Sequence, residues 1–180
     1  EPFSPLPIPQ EAVVSILHTT PYSIGRLTGN GFFIGNKNCF LITYHQHKNL
    51  RNGSFKLHPL GEFESFEFLY AKVEFDLAIY RAHGPGKISP LTLAKGLYLP
   101  HPGETLLVLS RLGPTQIVKA PNQMDKVMTL YRGKDLKGGI KEFNDIYFLA
   151  YVVLGQIRAG QSGSPVMNTK GEVIGIIHTA

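Results

Sequence analysis

Tryptophan is absent from this 180-residue chain and cysteine occurs once, at position 39. A single cysteine excludes an internal disulfide, so the fold is not one of the stapled scaffolds of small secreted domains. It excludes the usual cysteine-rich zinc site as well. Within the apolar run Cys39-Phe40-Leu41-Ile42 the thiol reads as a small buried hydrophobe. No apolar stretch approaches the length of a membrane span, no signal-peptide pattern opens the chain, and no segment carries a convincing helical period. The first residue is Glu1, not Met, which reads as a piece cut from something longer. Charged residues are few, at 17%, and the balance of +5 leans basic. A basic surface attracts phosphate, so weak RNA binding is admitted as a side activity. However, Lys and Arg are scattered, with only a mild concentration at residues 132–137 and Lys141, and a solvated charged face is the commoner reason for such a pattern. Oligomeric state leaves no trace in the composition.

What is present is a folded, β-prone chain, 43% hydrophobic and long enough to bury a core. Prolines at 2, 5, 7 and 9 remove backbone donors and predict an extended arm packed along the outside. Short β-prone runs follow at 12–18, 22–27, 31–35, 39–43, 54–58, 66–73 and 77–81, broken by Gly, Asn and Pro. Residues 82–103 carry four prolines and little alternation, and read as a connection. Strand signals resume at 104–110, 115–120, 126–131, 147–154, 165–168 and 172–178, with Asn168-Thr169-Lys170-Gly171 as the turn of a closing hairpin. The expected fold is all-β, two antiparallel β-barrel lobes with a cleft between them. Their bounds are residues 1–83 and 104–180, joined by 84–103.

The densest chemical signal is Arg158-Ala159-Gly160-Gln161-Ser162-Gly163-Ser164-Pro165. A serine flanked by glycines suits a tight turn in which successive N–H groups point one way. Ser162 is the candidate nucleophile, and the Gly160 and Ser162 N–H groups the candidate oxyanion hole. The same residues also make an ordinary surface turn, so the reading needs a base and an acid upstream. Of the seven histidines, at 18, 45, 47, 58, 83, 101 and 178, His45 ends the apolar strand Cys39-Phe40-Leu41-Ile42-Thr43-Tyr44. The end of a buried strand is a rigid place for a general base. His47 is the rival, although Gln46-His47-Lys48-Asn49 reads as exposed loop. Asp76, at the mouth of Leu77-Ala78-Ile79-Tyr80, is the candidate acid, with Glu74 as fallback; a lone Asp there is also a common turn residue. The order His, Asp, Ser is one of the known triad arrangements.

These residues resemble the chymotrypsin-like proteases, and within them the viral main (3C-like) branch, nearest to nidoviral enzymes of the torovirus and arterivirus kind that use serine. The likeness is carried by Leu41-Ile42-Thr43-Tyr44-His45, by Phe75-Asp76-Leu77-Ala78-Ile79, and above all by Ala159 through Pro165 with Gly175-Ile176-Ile177-His178-Thr179-Ala180. The resemblance implies that His178 lies at the base of the primary specificity pocket and donates a hydrogen bond to a P1 Gln or Glu. Many relatives add a threonine five residues before the nucleophile, where this chain has Ile157; Gln156 or Tyr151 would then substitute. Relatives also continue past the point corresponding to Ala180, so further residues or a different barrel closure are expected. Where secreted digestive relatives carry the Asp that pairs with a new N-terminus, this chain has the uncharged Gln161, so that activation switch cannot operate. The expected activity is that of a serine endopeptidase cleaving a viral polyprotein in the host cytoplasm, through an acyl-enzyme and with no metal or organic cofactor. The alternative is a protease-like module with a vestigial triad, binding RNA or a protein partner.

Overall fold

The computed structural model describes residues 10–20, 22–35, 37–51, 53, 55–73, 76–95, 100–112, 115–120, 129–132, 147–150 and 160–178. In chain order, the first lobe consists of β1 (Val13–Thr20), β2 (Ser23–Ile34), β3 (Cys39–Thr43), helix α1 (Tyr44–Arg51), β4 (Phe55–His58), β5 (Ser65–Lys72) and β6 (Leu77–His83). Its strands form one antiparallel half-barrel sheet in the order β4-β1-β2-β3-β6-β5. β6 alternates, with Ala78, Tyr80 and Ala82 turned inward, as expected of a strand with one wet face. β3, by contrast, buries Phe40, Leu41, Ile42 and Thr43 in succession, so both of its faces are covered. Phe32 and Phe33 of β2 and Phe40 of β3 are the largest anchors of the core, each worth about 1.5–3 kcal/mol of burial.

The second lobe holds β7 (Thr92–Leu93), β8 (Thr105–Val108), β9 (Gln116–Lys119), β10 (Thr129–Arg132), β11 (Tyr147–Ala150), β12 (Pro165–Met167) and β13 (Glu172–Ile176). Five of these form a sheet in the order β7-β13-β12-β8-β9, and β10 pairs with β11. The two-residue period of β8 divides its side chains between two cores. Leu106 and Val108 pack with Val118, Val166 and Ile177 inside this lobe, whereas Leu107, with Leu109 beyond the strand, joins Phe32, Phe33 and Phe40 of the first. The lobes thus share one apolar contact layer. The proline-rich connection is stitched to both: Leu91 N–H donates to Phe33 O at 2.9 Å, and directly after it β7 lies parallel to β13, with Ala94 N–H on Val173 O at 2.9 Å.

The predicted hairpin turn forms as expected. Asn168 Oδ1 accepts from Lys170 N–H and Glu172 N–H, both at 3.0 Å, and Gly171 takes the positive φ of 83° that closes it. Two expectations need correction. The segments 22–27 and 31–35 are not separate strands but one, β2, running through Thr28-Gly29-Asn30. Gly and Asn suggest a break on propensity, yet Gly29 and Gly31 are small for a tertiary reason: a Cβ on Gly31 would strike the Leu41 carbonyl oxygen, and one on Gly29 would come within 3.0 Å of Ser162 O. The second correction is α1. Gln46-His47-Lys48-Asn49 is helical, not exposed loop, and Gln46 and His47 are buried. Two turns are too short to show a period or to stand alone, so the helix depends on what caps it.

Candidate active site

That cap builds the first half of the site. Thr43 precedes the helix and its Oγ1 accepts the Gln46 N–H at 3.3 Å, the usual N-cap bond. Tyr44 N–H goes to the Asp76 carbonyl at 2.9 Å, and His45 N–H to Asp76 Oδ1 at 2.9 Å. A carboxylate at a helix N-terminus is stabilised by the unpaired N–H groups there. Asp76 reaches this place because it sits in a left-handed turn, φ 53°, which Asp tolerates better than most residues. Its other oxygen, Oδ2, lies 2.7 Å from His45 Nδ1. The aspartate therefore grips both the backbone and the ring of His45, while Nε2, on the ring's other edge, lies 3.5 Å from Thr43 Oγ1.

Asp76 is 1% exposed. Burial by itself would raise its pKa, but hydrogen bonds from His178 and His45, together with the attraction of both rings when charged, outweigh that and hold the carboxyl below its ordinary value. It is an ionised acceptor at neutral pH. His47, the rival base, points elsewhere: its ring stacks on Phe68, with centroids 4.3 Å apart, and its Nδ1 meets the Tyr80 hydroxyl. Burial and the nearby Arg51 push His47 toward its neutral form, and burial carries Tyr80 up to about 12 against the opposing pull of Arg51. His47 belongs to the packing of α1 on β5 and β6.

The second half of the site is the turn 160–164. Gly160 and Gly163 adopt φ of 92° and 84°, the left-handed region glycine enters without cost. Both glycines are also forced by neighbours on β2. A Cβ at Gly163 would overlap the Asn30 carbonyl oxygen, and one at Gly160 would lie 2.8 Å from Leu27 O. Gly163 N–H is committed to Ile177 O at 2.7 Å and Ser164 N–H to Gln161 O at 2.9 Å, so neither serves as an oxyanion donor. The buried Gln161, found where an activating Asp would stand, has Oε1 on Ser164 Oγ at 2.7 Å.

Asn30 is the residue sequence reasoning missed. It is fully buried, its backbone N–H donates to Ser162 O at 2.8 Å, and its Nδ2 donates to Gly160 O at 3.1 Å and Ser164 Oγ at 2.9 Å. The amide orientation follows from Gly160 O, which only a donor can satisfy. Its place in the sequence, between the expected runs 22–27 and 31–35, reads as a break and gives no sign of this role.

Two links join the halves. Gly29 lies between them, with Ser162 O on one side and Gln46, next to His45, on the other. On the far side, Ile177 pairs with both Gly163 and Ser164, and the next residue, His178, places Nδ1 2.8 Å from Asp76 Oδ2. His178 is thus brought to the acid. Gln156, Ile157, Tyr151 and Glu74 lie outside the described residues. The donor atoms of His45, Asp76 and His178 fall within 4.8 Å of one another, a possible metal set. Nevertheless, N–O contacts of 2.7 and 2.8 Å are hydrogen-bond lengths, below the roughly 3.3 Å that separates ligands around a tetrahedral zinc.

The chain matches a protein family described as trypsin-like peptidase domain over residues 29–176. Among solved structures, that of Deg5 superposes with a TM-score of 0.65 at 15% identity, over 95% of this chain and 80% of its own. An inactive form of the Rv3671c protease gives 0.67 at 20% identity, over 96% and 79%. An inactive mutant of Rv3671c from M. tuberculosis H37Rv gives 0.61 at 21%, over 96% and 84%. At these identities the likeness concerns the fold, the two-barrel all-β architecture of chymotrypsin-like proteases. No curated protein matches the sequence.

Proposed function

Because this chain belongs to the trypsin-like peptidase domain family, we propose that it is a serine endopeptidase with Ser162 as nucleophile, His45 as general base and Asp76 as the acid that orients it. The observation that carries the reading is the two-point grip of Asp76 on His45, backbone at 2.9 Å and ring at 2.7 Å. A ring that gives its Nδ1 proton to a carboxylate has a lone pair on Nε2, the nitrogen a base needs. As Ser162 Oγ attacks the scissile carbonyl, His45 Nε2 takes its proton and then returns it to the leaving amine. Water hydrolyses the acyl-enzyme by the same steps in reverse order. The tetrahedral oxyanion falls to the Gly160 and Ser162 N–H groups, each such donor being worth about 2.7–4 kcal/mol.

As substrate we propose a viral polyprotein cut in the host cytoplasm after Gln or Glu. Support for this comes from the likeness of residues 159–165 and 175–180 to viral main proteases. A fluorophosphonate probe tests the chemistry: wild type should be labelled and Ser162→Ala should not, with folding intact. Absence of labelling in wild type, with a salt-dependent RNA mobility shift, would favour a binding module instead. A peptide library varied at P1 tests the substrate class, and preference for a basic or aromatic P1 would reject it.

A further inference from the structure

Among the described residues the Asp76 carboxylate accepts three hydrogen bonds, and only two come from the residue it is expected to serve. Oδ1 takes the His45 N–H; Oδ2 is shared between His45 Nδ1 at 2.7 Å and His178 Nδ1 at 2.8 Å. The two imidazoles stand edge to face, 87° apart with centroids at 5.7 Å, as separate donors converging on one oxygen must. A carboxylate has about four lone-pair sites, so all three bonds are compatible. The His178 side chain is 16% exposed and its Nε2 is sealed from solvent.

We propose that His178 is a positioning residue: its Nδ1–H pins the Asp76 carboxylate in the rotamer that orients His45. This deepens the serine-endopeptidase reading and rests on it. The physical case is that Asp76 lies at a lobe boundary in a left-handed turn, where its side chain needs a second anchor to hold one position. His178 supplies that anchor from the other lobe. It is itself fixed by the strand pairing of Ile177 with Gly163 and Ser164, so the nucleophile turn and the acid share one short rigid path. A neutral imidazole that donates Nδ1–H to Asp76 has a lone pair on Nε2. A P1 contact through Nε2–H, the part expected of His178 in a specificity pocket, therefore requires a second ring proton.

Two variants and two readouts test this. His178→Leu removes the donor at similar bulk, and His178→Asn restores an N–H near the Nδ1 position. A positioning role predicts that His178→Leu loses about 10- to 100-fold in kcat with KM and P1 preference unchanged, and that His178→Asn recovers most of it. A rise in KM with altered P1 preference and intact kcat would make His178 a selector and overturn the proposal, as would equal kcat loss in both variants. The second readout is independent of turnover. In 15N-histidine-labelled protein, wild type and Ser162→Ala should each show two downfield imidazole N–H resonances, and His178→Asn should lose one and keep the other. Survival of both in His178→Asn overturns the proposal even if the protein proves inactive, whereas lack of fluorophosphonate labelling with the expected resonance loss overturns only the endopeptidase reading.

Discussion

In the first lobe, His45 is oriented largely by contacts made within that lobe. Thr43 starts the helix, Asp76 caps it, and the same Asp76 takes the ring of His45, 31 residues away. In the second lobe the turn that carries the proposed nucleophile is shaped from outside: Asn30 and Leu27 of β2 press against Gly160 and Gly163, and Asn30 donates to three acceptors in the turn. One half of the site is locally specified and the other is moulded on its neighbour. Consequently, changes on β2 should reach the proposed nucleophile as strongly as changes within residues 160–164.

The contrast is broken most severely by Gly163→Ala, which places a methyl group on the Asn30 carbonyl in a left-handed backbone. We expect at least about 3 kcal/mol of destabilisation, read as a fall of roughly 6–12 °C in Tm, and loss of fluorophosphonate labelling. A smaller effect comes from the other side of the contact. Asn30→Ala leaves Gly160 O without its side-chain donor and interrupts the chain from Asn30 through Ser164 to Gln161, which costs about 1–3 kcal/mol. Calorimetry should show that cost, with labelling slowed at least tenfold. Unslowed labelling would mean that β2 does not shape the turn.

The gentlest test is acid. Because the folded pKa of Asp76 is depressed, its stabilisation is complete above the ordinary carboxylate value of about 3.9 and is lost as pH falls through the lower folded value. Unfolding free energies of wild type and Asp76→Asn should therefore converge as pH drops from about 4 toward 2. A constant gap would show that the carboxylate's charge contributes nothing to its grip on α1.

Much of this was legible in residues alone, and unevenly so. β3, β6 and the hairpin at 168–171 could be read because alternation and turn chemistry are local properties. Helix α1 could not, since its stability comes from Asp76, 31 residues away from His45, and not from its own period. Propensity splits β2 into two pieces because Gly and Asn near position 30 suggest a break, whereas the real constraint there is the close approach of Ser162 O and Leu41 O. The sequence puts His47 in an exposed loop because nothing adjacent to it announces Phe68 and Tyr80 as its partners.

By itself, the sequence determined the β-rich two-lobed character of the chain, the glycine-framed serine and the order of the candidate triad, since strand period, turn propensity and spacing are written in neighbouring residues. Only the tertiary structure decided that Asn30 shapes the nucleophile turn and that His178 faces Asp76. Hydrogen bonds between residues more than a hundred positions apart depend on how two sheets meet, and that meeting is set by packing of the shared core.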